Sequence, residues 1–222
     1  MASNFVYVFE KKSSKYWWSA EIRSQLDGSN WAPQQFSVSM LGWPLRAAKS
    51  GFFSGGKTIY CTIPYINQDI PISILFWALN QLTDREIIDK IVFDGQDVQM
   101  INALKPSLEE GIPIQTQDDA LSYIGSRGHA SATSKQERIN YARRILQEDF
   151  LPHVSTSPGH ESLKAYFIGY MVFRLINASL GWAPEDDWDH YGKKRLDMAG
   201  SLLGSLFHNL FWEFVKEAKK DI

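Results

Sequence analysis

The sequence predicts an α+β fold, with N-terminal antiparallel strands, a mostly helical body after them and long C-terminal helices. Three observations carry that prediction. Aromatic and β-branched runs recur up to residue 63, the apolar period becomes helical after Pro71, and the helical stretches lengthen from Ser134 onward. Strands that give way to helices, without regular alternation of the two, are the pattern of an α+β domain.

Phe5-Val-Tyr-Val-Phe9 is aromatic and β-branched throughout, and Gln35-Phe-Ser-Val-Ser-Met-Leu41 alternates polar with apolar residues. With Thr58-Ile-Tyr-Cys-Thr-Ile63, these runs predict strands. Between the last two, residues 42–57 hold Gly42, Pro44, Gly51, Gly55 and Gly56 together with Arg46, Lys49 and Lys57. That composition predicts a basic hairpin connection. Its cations are candidate phosphate contacts, although a solvated loop is the commoner meaning of such a run.

Ile72, Leu75, Phe76 and Leu79 fall at helical spacing, and Asp84 can cap a helix carrying Ile87, Ile88, Ile91 and Val92. Val98 to Leu104 predicts another short helix. Gly111-Ile-Pro-Ile-Gln115 predicts an extended break, after which Asp118 caps Ala120 to Ile124 and Gly125 with Gly128 ends that turn. Ser134 and Glu137 have capping-box spacing ahead of an apolar stripe of Ile139, Ala142, Ile145 and Leu146, which Pro152 closes. Leu163 to Leu180 is apolar on nearly every side and predicts the central buried helix. From about Asp187 a last helix carries Leu196, Leu202, Leu203, Leu206, Phe207, Leu210, Phe211 and Phe214. It runs into the chain end without a stop signal, as a helix interrupted within a larger protein does.

A chain of 222 residues is long enough to bury most of its apolar surface. Its single cysteine, Cys61, excludes an internal disulfide and any Cys-x-x-Cys site, and its strand-like surroundings predict an inert buried thiol. A net charge of −2 lacks the basic footprint of a stand-alone nucleic-acid binder but leaves local patches open. No run reaches the ~20 apolar residues of a membrane span, and the first residues lack the basic and apolar regions of a secretory signal. The expectation is a soluble intracellular protein without a membrane partner.

The local motifs of zinc, nucleotide and nucleophile chemistry are missing from the sequence, whereas a catalytic pair of carboxylates far apart in the chain stays open and nothing selects one. His129, His153, His160, His190 and His208 are scattered without zinc-ligand spacing, and Gly125-Ser-Arg-Gly-His129 lacks the strand and lysine of a nucleotide loop. There is no Gly-x-Ser-x-Gly elbow. The densest chemistry lies in Asp186-Asp-Trp-Asp-His-Tyr-Gly-Lys-Lys-Arg-Leu-Asp-Met-Ala-Gly200. Asp186, Asp187 and Asp189 are candidate magnesium ligands, but acids opening a helix are more simply explained by capping and the helix dipole. Lys193, Lys194 and Arg195 form either a solvated basic turn or a contact for a polyanion.

This segment resembles Asp-Asp-Arg-Asp-His-(Tyr/Phe)-Gly-(Asn/Lys)-Lys-Arg-Leu-Asp-Leu-Ala-Gly of the second-largest subunit of eukaryotic RNA polymerase II. Thr62-Ile-Pro-Tyr-Ile-Asn-Gln-Asp-Ile-Pro71, Lys105-Pro-Ser-Leu-Glu109, Tyr123-Ile-Gly-Ser-Arg-Gly128, Phe150-Leu-Pro-His-Val154 and Lys164-Ala-Tyr-Phe-Ile-Gly-Tyr-Met171 extend the resemblance in the family's order. Trp188, Trp31 and Trp77 stand where the family tends to have arginine. The segment is also similar to Asp-Asp-Ile-Asp-His-Leu-Gly-Asn-Arg-Arg of the bacterial β subunit, which borders the DNA cleft. That likeness puts Asp189 and Lys194 on the acid and cation that approach an unpaired base, and lysine in place of arginine favours phosphate contact over base readout.

The resemblance implies a nuclear transcription module without its own active site. Residues 1–18 would end the protrusion strands, 19–185 would form the lobe, and 186–222 would form the helix returning towards the protrusion and fork. Asp189, His190, Lys193, Lys194 and Arg195 would face nucleic acid, with Arg46, Lys49 and Lys57 as phosphate contacts in the loop. Implied partners are DNA, the other polymerase subunits, especially the largest, and general initiation factors. No cofactor is expected in this stretch; magnesium and zinc belong to other parts of such an enzyme. The alternative is a self-contained protein-interaction scaffold using Trp17, Trp18 and Trp43, with no nucleic-acid contact.

Overall fold

The computed structural model describes residues 5–11, 15–24, 34–41, 57–80, 83–93, 97–114, 116–128, 134–157, 159–187, 189–193 and 198–220. They fall in two units, 2–188 and 189–222. The first opens with five antiparallel strands in chain order: β1 (Tyr7–Glu10), β2 (Tyr16–Ser24), β3 (Gln34–Leu41), β4 (Ile59–Thr62) and β5 (Ile70–Pro71). β1, β3 and β4 form where the apolar runs predict them. β2 escapes the sequence reading, yet its Ala20, Ile22 and Ser24 are buried while Arg23 between them is exposed, the period-two signature of a strand. Trp17 occupies a bulge where the register passes from Tyr16↔Leu41 to Trp18↔Met40, and it is 46% exposed. The boundary expected after residue 18 lies inside β2.

The helices of this unit are α1 (Ile72–Ala78), α2 (Asp84–Ile91), α3 (Val98–Glu109), α4 (Gln117–Gly125), α5 (Lys135–Arg144) and α6 (Glu161–Ser179). α6 packs across β1, β2 and β3. Its Ala165, Ile168, Val172, Leu175 and Ile176 share one core with Val8, Ala20, Ile22, Phe36, Val38 and Met40. A large aliphatic side chain buried in this way contributes roughly 1.5–3 kcal/mol. The helix is not buried all round: Leu163, Tyr166 and Tyr170 are exposed, and the ammonium of Lys90 sits 4.6 Å from the centre of the Tyr166 ring. Tyrosine hydroxyls and a cation let an aromatic face meet water.

Several predicted caps move by a residue or two. Thr83, not Asp84, caps α2 in a capping box with Glu86, and Thr116, not Asp118, caps α4. In both cases a hydroxyl just outside the helix reaches the third backbone N–H, while the acid sits in the first turn. Ser134 and Glu137 do form the expected capping box. α3 continues through Pro106 to Glu109, where Ser107 Oγ accepts a hydrogen bond from Ile59 N–H at 3.0 Å. Residues 110–113 then turn rather than extend: Gly111 N–H donates to Leu108 O at 2.9 Å and Ile114 N–H to Gly111 O at 3.0 Å.

α5 widens into a π-helical turn, Ile145–Asp149, and ends there, before Pro152. The buried ammonium of Lys164 closes this end, donating to the carbonyls of Leu146 at 2.8 Å, Gln147 at 2.9 Å and Phe150 at 2.7 Å. Burial pulls its pKa down to about 8. Two glycines permit close helix contacts. A Cβ at Gly125 would lie 2.2 Å from Arg138 O on α5, and one at Gly169 would lie 2.2 Å from Lys90 O on α2.

The second unit contains a 3₁₀ turn at Tyr191–Lys193 and α7 (Ala199–Ala218). The last helix therefore starts at Ala199 behind Met198, not near Asp187. None of the α7 residues is buried within the chain, and Leu203, Phe207 and Phe214 are all about two-thirds exposed.

Candidate nucleic-acid interface

The acids at the head of the 186–200 segment do not open a helix, which corrects the capping explanation. Instead Asp186 is fastened to the edge of the sheet. Its N–H donates to Val8 O at 2.8 Å, and its carboxylate accepts from Val8 N–H at 3.0 Å and from Arg174 Nη2 at 2.7 Å. Arg174 Nη1 also donates to Val6 O at 3.0 Å. One side chain from the chain beyond α6 thus satisfies a backbone group that edge strand β1 would otherwise present unpaired, and one from α6 satisfies the carbonyl of Val6 just ahead of that strand. The two charged side chains are 30% and 15% exposed, so the pair is largely withdrawn from solvent.

Beyond this attachment, Asp189 and His190 are exposed and Tyr191 is 92% exposed. Gly192 N–H donates to His190 Nδ1 at 3.1 Å, which folds the imidazole back over the turn. A Cβ at Gly192 would come within 3.0 Å of that nitrogen. Lys193 lies in the 3₁₀ turn. Lys194 and Arg195 lie outside the described residues, as do Arg46, Lys49, Trp31, Trp43 and Trp188.

Lys57 is the described member of the loop cations. Its ammonium sits 4.0 Å from the centre of the Trp17 ring, and burial lowers its pKa. The cation therefore already has an aromatic face to cover. Trp18 is half-buried, and Trp77 packs in α1 against the apolar core. Tryptophan suits that partly buried site by supplying apolar area.

Sequence reasoning missed Arg174. Its signal was a lone arginine on an otherwise apolar face, between Phe173 and Leu175. Cys61, expected to be inert, is buried in β4 and donates its thiol to Ile70 O at 3.3 Å, and burial pushes its pKa up. Among the described residues no cluster of three or more His, Cys, Asp or Glu side chains is arranged to hold a metal ion. No helix among them is long and apolar enough to cross a membrane.

The first unit is thus a five-stranded meandering sheet packed with helices, with Asp186 tied back to Val8 of its first strand. Comparison with known proteins gives its family. The sequence matches the family described as RNA polymerase Rpb2, domain 2, over residues 2–197. It is 46% identical over 220 residues to DNA-directed RNA polymerase II subunit 2 of Arabidopsis thaliana, covering 99% of this chain and 18% of that protein. The corresponding figures for DNA-directed RNA polymerase II subunit RPB2 of Schizosaccharomyces pombe are 41%, 99% and 18%. DNA-directed RNA polymerase subunit Rpo2 of the archaeon Saccharolobus solfataricus is 42% identical over 160 residues, 72% of this chain and 14% of that one. The chain belongs to the RNA polymerase Rpb2 domain 2 family, and it spans less than a fifth of the length of these relatives.

Proposed function

We propose that this chain is the lobe module of the second-largest subunit of an RNA polymerase II type enzyme, working in the nucleus on one wall of the DNA cleft. The observation that carries this reading is the 46% identity running through 99% of the chain, including the acid-to-base segment. In this reading Asp189, His190, Lys193, Lys194 and Arg195 face nucleic acid, and the lysines hold phosphate. Arg46, Lys49 and Lys57 offer further phosphate contacts. The module confines downstream DNA and presents a surface to the largest subunit and to initiation factors. Nucleotide addition, with its magnesium, and any zinc sites belong to other parts of the enzyme.

The test is binding of forked DNA across a salt series, using this chain and an assembled polymerase that contains it. Replacing both lysines, Lys193→Ala with Lys194→Ala, should weaken binding and reduce the slope of log K against log salt by about 2, as expected for two lost phosphate contacts. Unchanged affinity and slope would remove the DNA assignment from this segment.

A second reading, a protein-docking scaffold without nucleic-acid contact, is favoured by the exposed aromatics Trp17, Tyr166 and Tyr170. It predicts partner capture that survives the double lysine substitution. Substituting Tyr166 and Tyr170 with serine should abolish that capture.

A further inference from the structure

We propose that Ser157 is a phosphorylation site for a proline-directed protein kinase, and that its phosphate is held by Arg143 and His160 at a cavity between α5 and the start of α6. The proposal stands apart from the DNA-facing reading above, because none of these residues belongs to the segment that begins at Asp186.

The cavity carries the argument. It holds about 130 Å³, and Arg143, Ser157, His160, Glu161 and Lys164 all reach its wall. Ser157 is exposed, it lies outside any helix or strand, and proline follows it in the sequence. An exposed serine in non-helical chain with proline next to it is what a proline-directed kinase accepts. Ser155 shapes the approach: its Oγ accepts Ser157 N–H at 3.1 Å and lies 2.9 Å from His160 Nδ1. With the Ser155 hydroxyl donating to Nδ1, the ring proton sits on Nε2, where it can donate to a phosphate oxygen.

The charges around the cavity favour an anion. Arg143 is 57% exposed and its only acid partner on this side, Asp118, is 3.9 Å away and 66% exposed, a loose pair that contributes little and gives way readily. A phosphate brings nearly two negative charges and three acceptor oxygens, which the planar guanidinium fork can take in pairs. Lys164 adds positive charge but no hydrogen bond, since its ammonium already donates to the carbonyls of Leu146, Gln147 and Phe150. The start of α6 behind His160 has no side-chain cap, so the positive end of the helix adds to the same field. Glu161 opposes it, but its side chain is exposed and can turn to solvent.

The transfer step takes ATP as the donor. The γ-phosphoryl group passes to Ser157 Oγ: the new P–O bond forms as the bond to the β-phosphate oxygen breaks, ADP leaves, and the hydroxyl proton goes to the kinase's catalytic base. The product ties residues 155–157 to α5 through a charge-assisted contact that the unmodified serine cannot make.

The experiment treats the whole folded chain with a proline-directed kinase and magnesium ATP, locates the phosphate by fragment mass, and then titrates it by phosphorus NMR. The parent should take one phosphate at Ser157 and Ser157→Ala none at that position. In the folded chain the second phosphate pKa should lie about one unit below its ordinary value near 6, because the nearby cations favour the dianion. Arg143→Gln should give back about half of that shift, whereas Arg143→Lys should keep most of it. Arg143 is exposed, so both variants are expected to fold, which thermal unfolding checks.

A folded chain that stays unmodified at Ser157, under conditions that phosphorylate a control Ser-Pro peptide, overturns the proposal. So does a phosphate at Ser157 whose titration matches that of the urea-unfolded chain. A lowered value that Arg143→Gln and His160→Gln both leave in place would take the phosphate away from these two residues and would sink the cradle as assigned.

Discussion

Arg174 Nη2 lies 2.7 Å from Asp186 Oδ2; the Asp186 carboxylate also binds the backbone of Val8 in β1, and the Arg174 guanidinium that of Val6 just ahead of the strand. The pair joins three parts of one unit that are far apart in sequence: the first strand, the long helix and the segment beyond it. Because each side chain satisfies a main-chain group, removing either leaves polar groups at the sheet edge without their partner.

Asp186→Ala and Arg174→Met are each expected to lower stability by about 2 kcal/mol, the scale of a charge-assisted hydrogen bond. The double variant should lose much less than the sum. Urea unfolding of all four proteins measures that coupling, and simple additivity would show that the pair acts independently.

Lys164→Met keeps much of the apolar stem but strips a cation from the carbonyls of Leu146, Gln147 and Phe150. A loss of about 3 kcal/mol is expected, because two buried acceptors and one part-buried acceptor lose their donor at once. The midpoint in guanidinium chloride reports it. A change within experimental error would mean that water replaces the ammonium without penalty.

Asp69 supplies the acid-side pH dependence. Burial pushes its carboxyl upward, but hydrogen bonds from Lys15, Tyr16 and Thr62 outweigh burial and hold it below its ordinary value of 3.8. A depressed folded pKa means that the unfolded chain takes up the proton first as pH falls. The contribution is therefore present above about 3.8 and is lost as pH drops through the folded value. Thermal midpoints of the parent and Asp69→Asn should differ at pH 7 and converge in acid; a gap that stays constant with pH contradicts this assignment.

Gly169→Ala and Gly204→Ala should shift stability in opposite directions. At Gly169 the new methyl would meet Lys90 O at 2.2 Å, and the resulting overpacking costs about 1–3 kcal/mol despite the better helix propensity of alanine. At Gly204 nothing lies within 4 Å, so propensity acts alone and favours alanine by about 1 kcal/mol. Urea unfolding checks the first and helix content by circular dichroism the second.

The parts legible in the sequence are those governed by local periodicity. Phe36, Val38 and Met40 alternate into the core as their spacing requires, and Ile139, Ala142, Ile145 and Leu146 form one buried stripe behind the capping box of Ser134 and Glu137. β2 was hidden because Ser19, Glu21 and Arg23 dilute its apolar signal, and only pairing on both sides makes it a strand. Tyr166 and Tyr170 look like core residues by composition. They are exposed because α6 has one face on the sheet and its tyrosines on the other.

The candidate site divides in the same way. By itself the sequence determined the α+β order, the buried cysteine and the run of acids and bases that resembles the polymerase subunit, since composition and short-range spacing suffice for these. Only the tertiary structure decided what Asp186 does. A carboxylate before a basic run can cap a helix, bind a metal or answer a distant cation, and the choice depends on Arg174 and Val8, which chain folding brings to it.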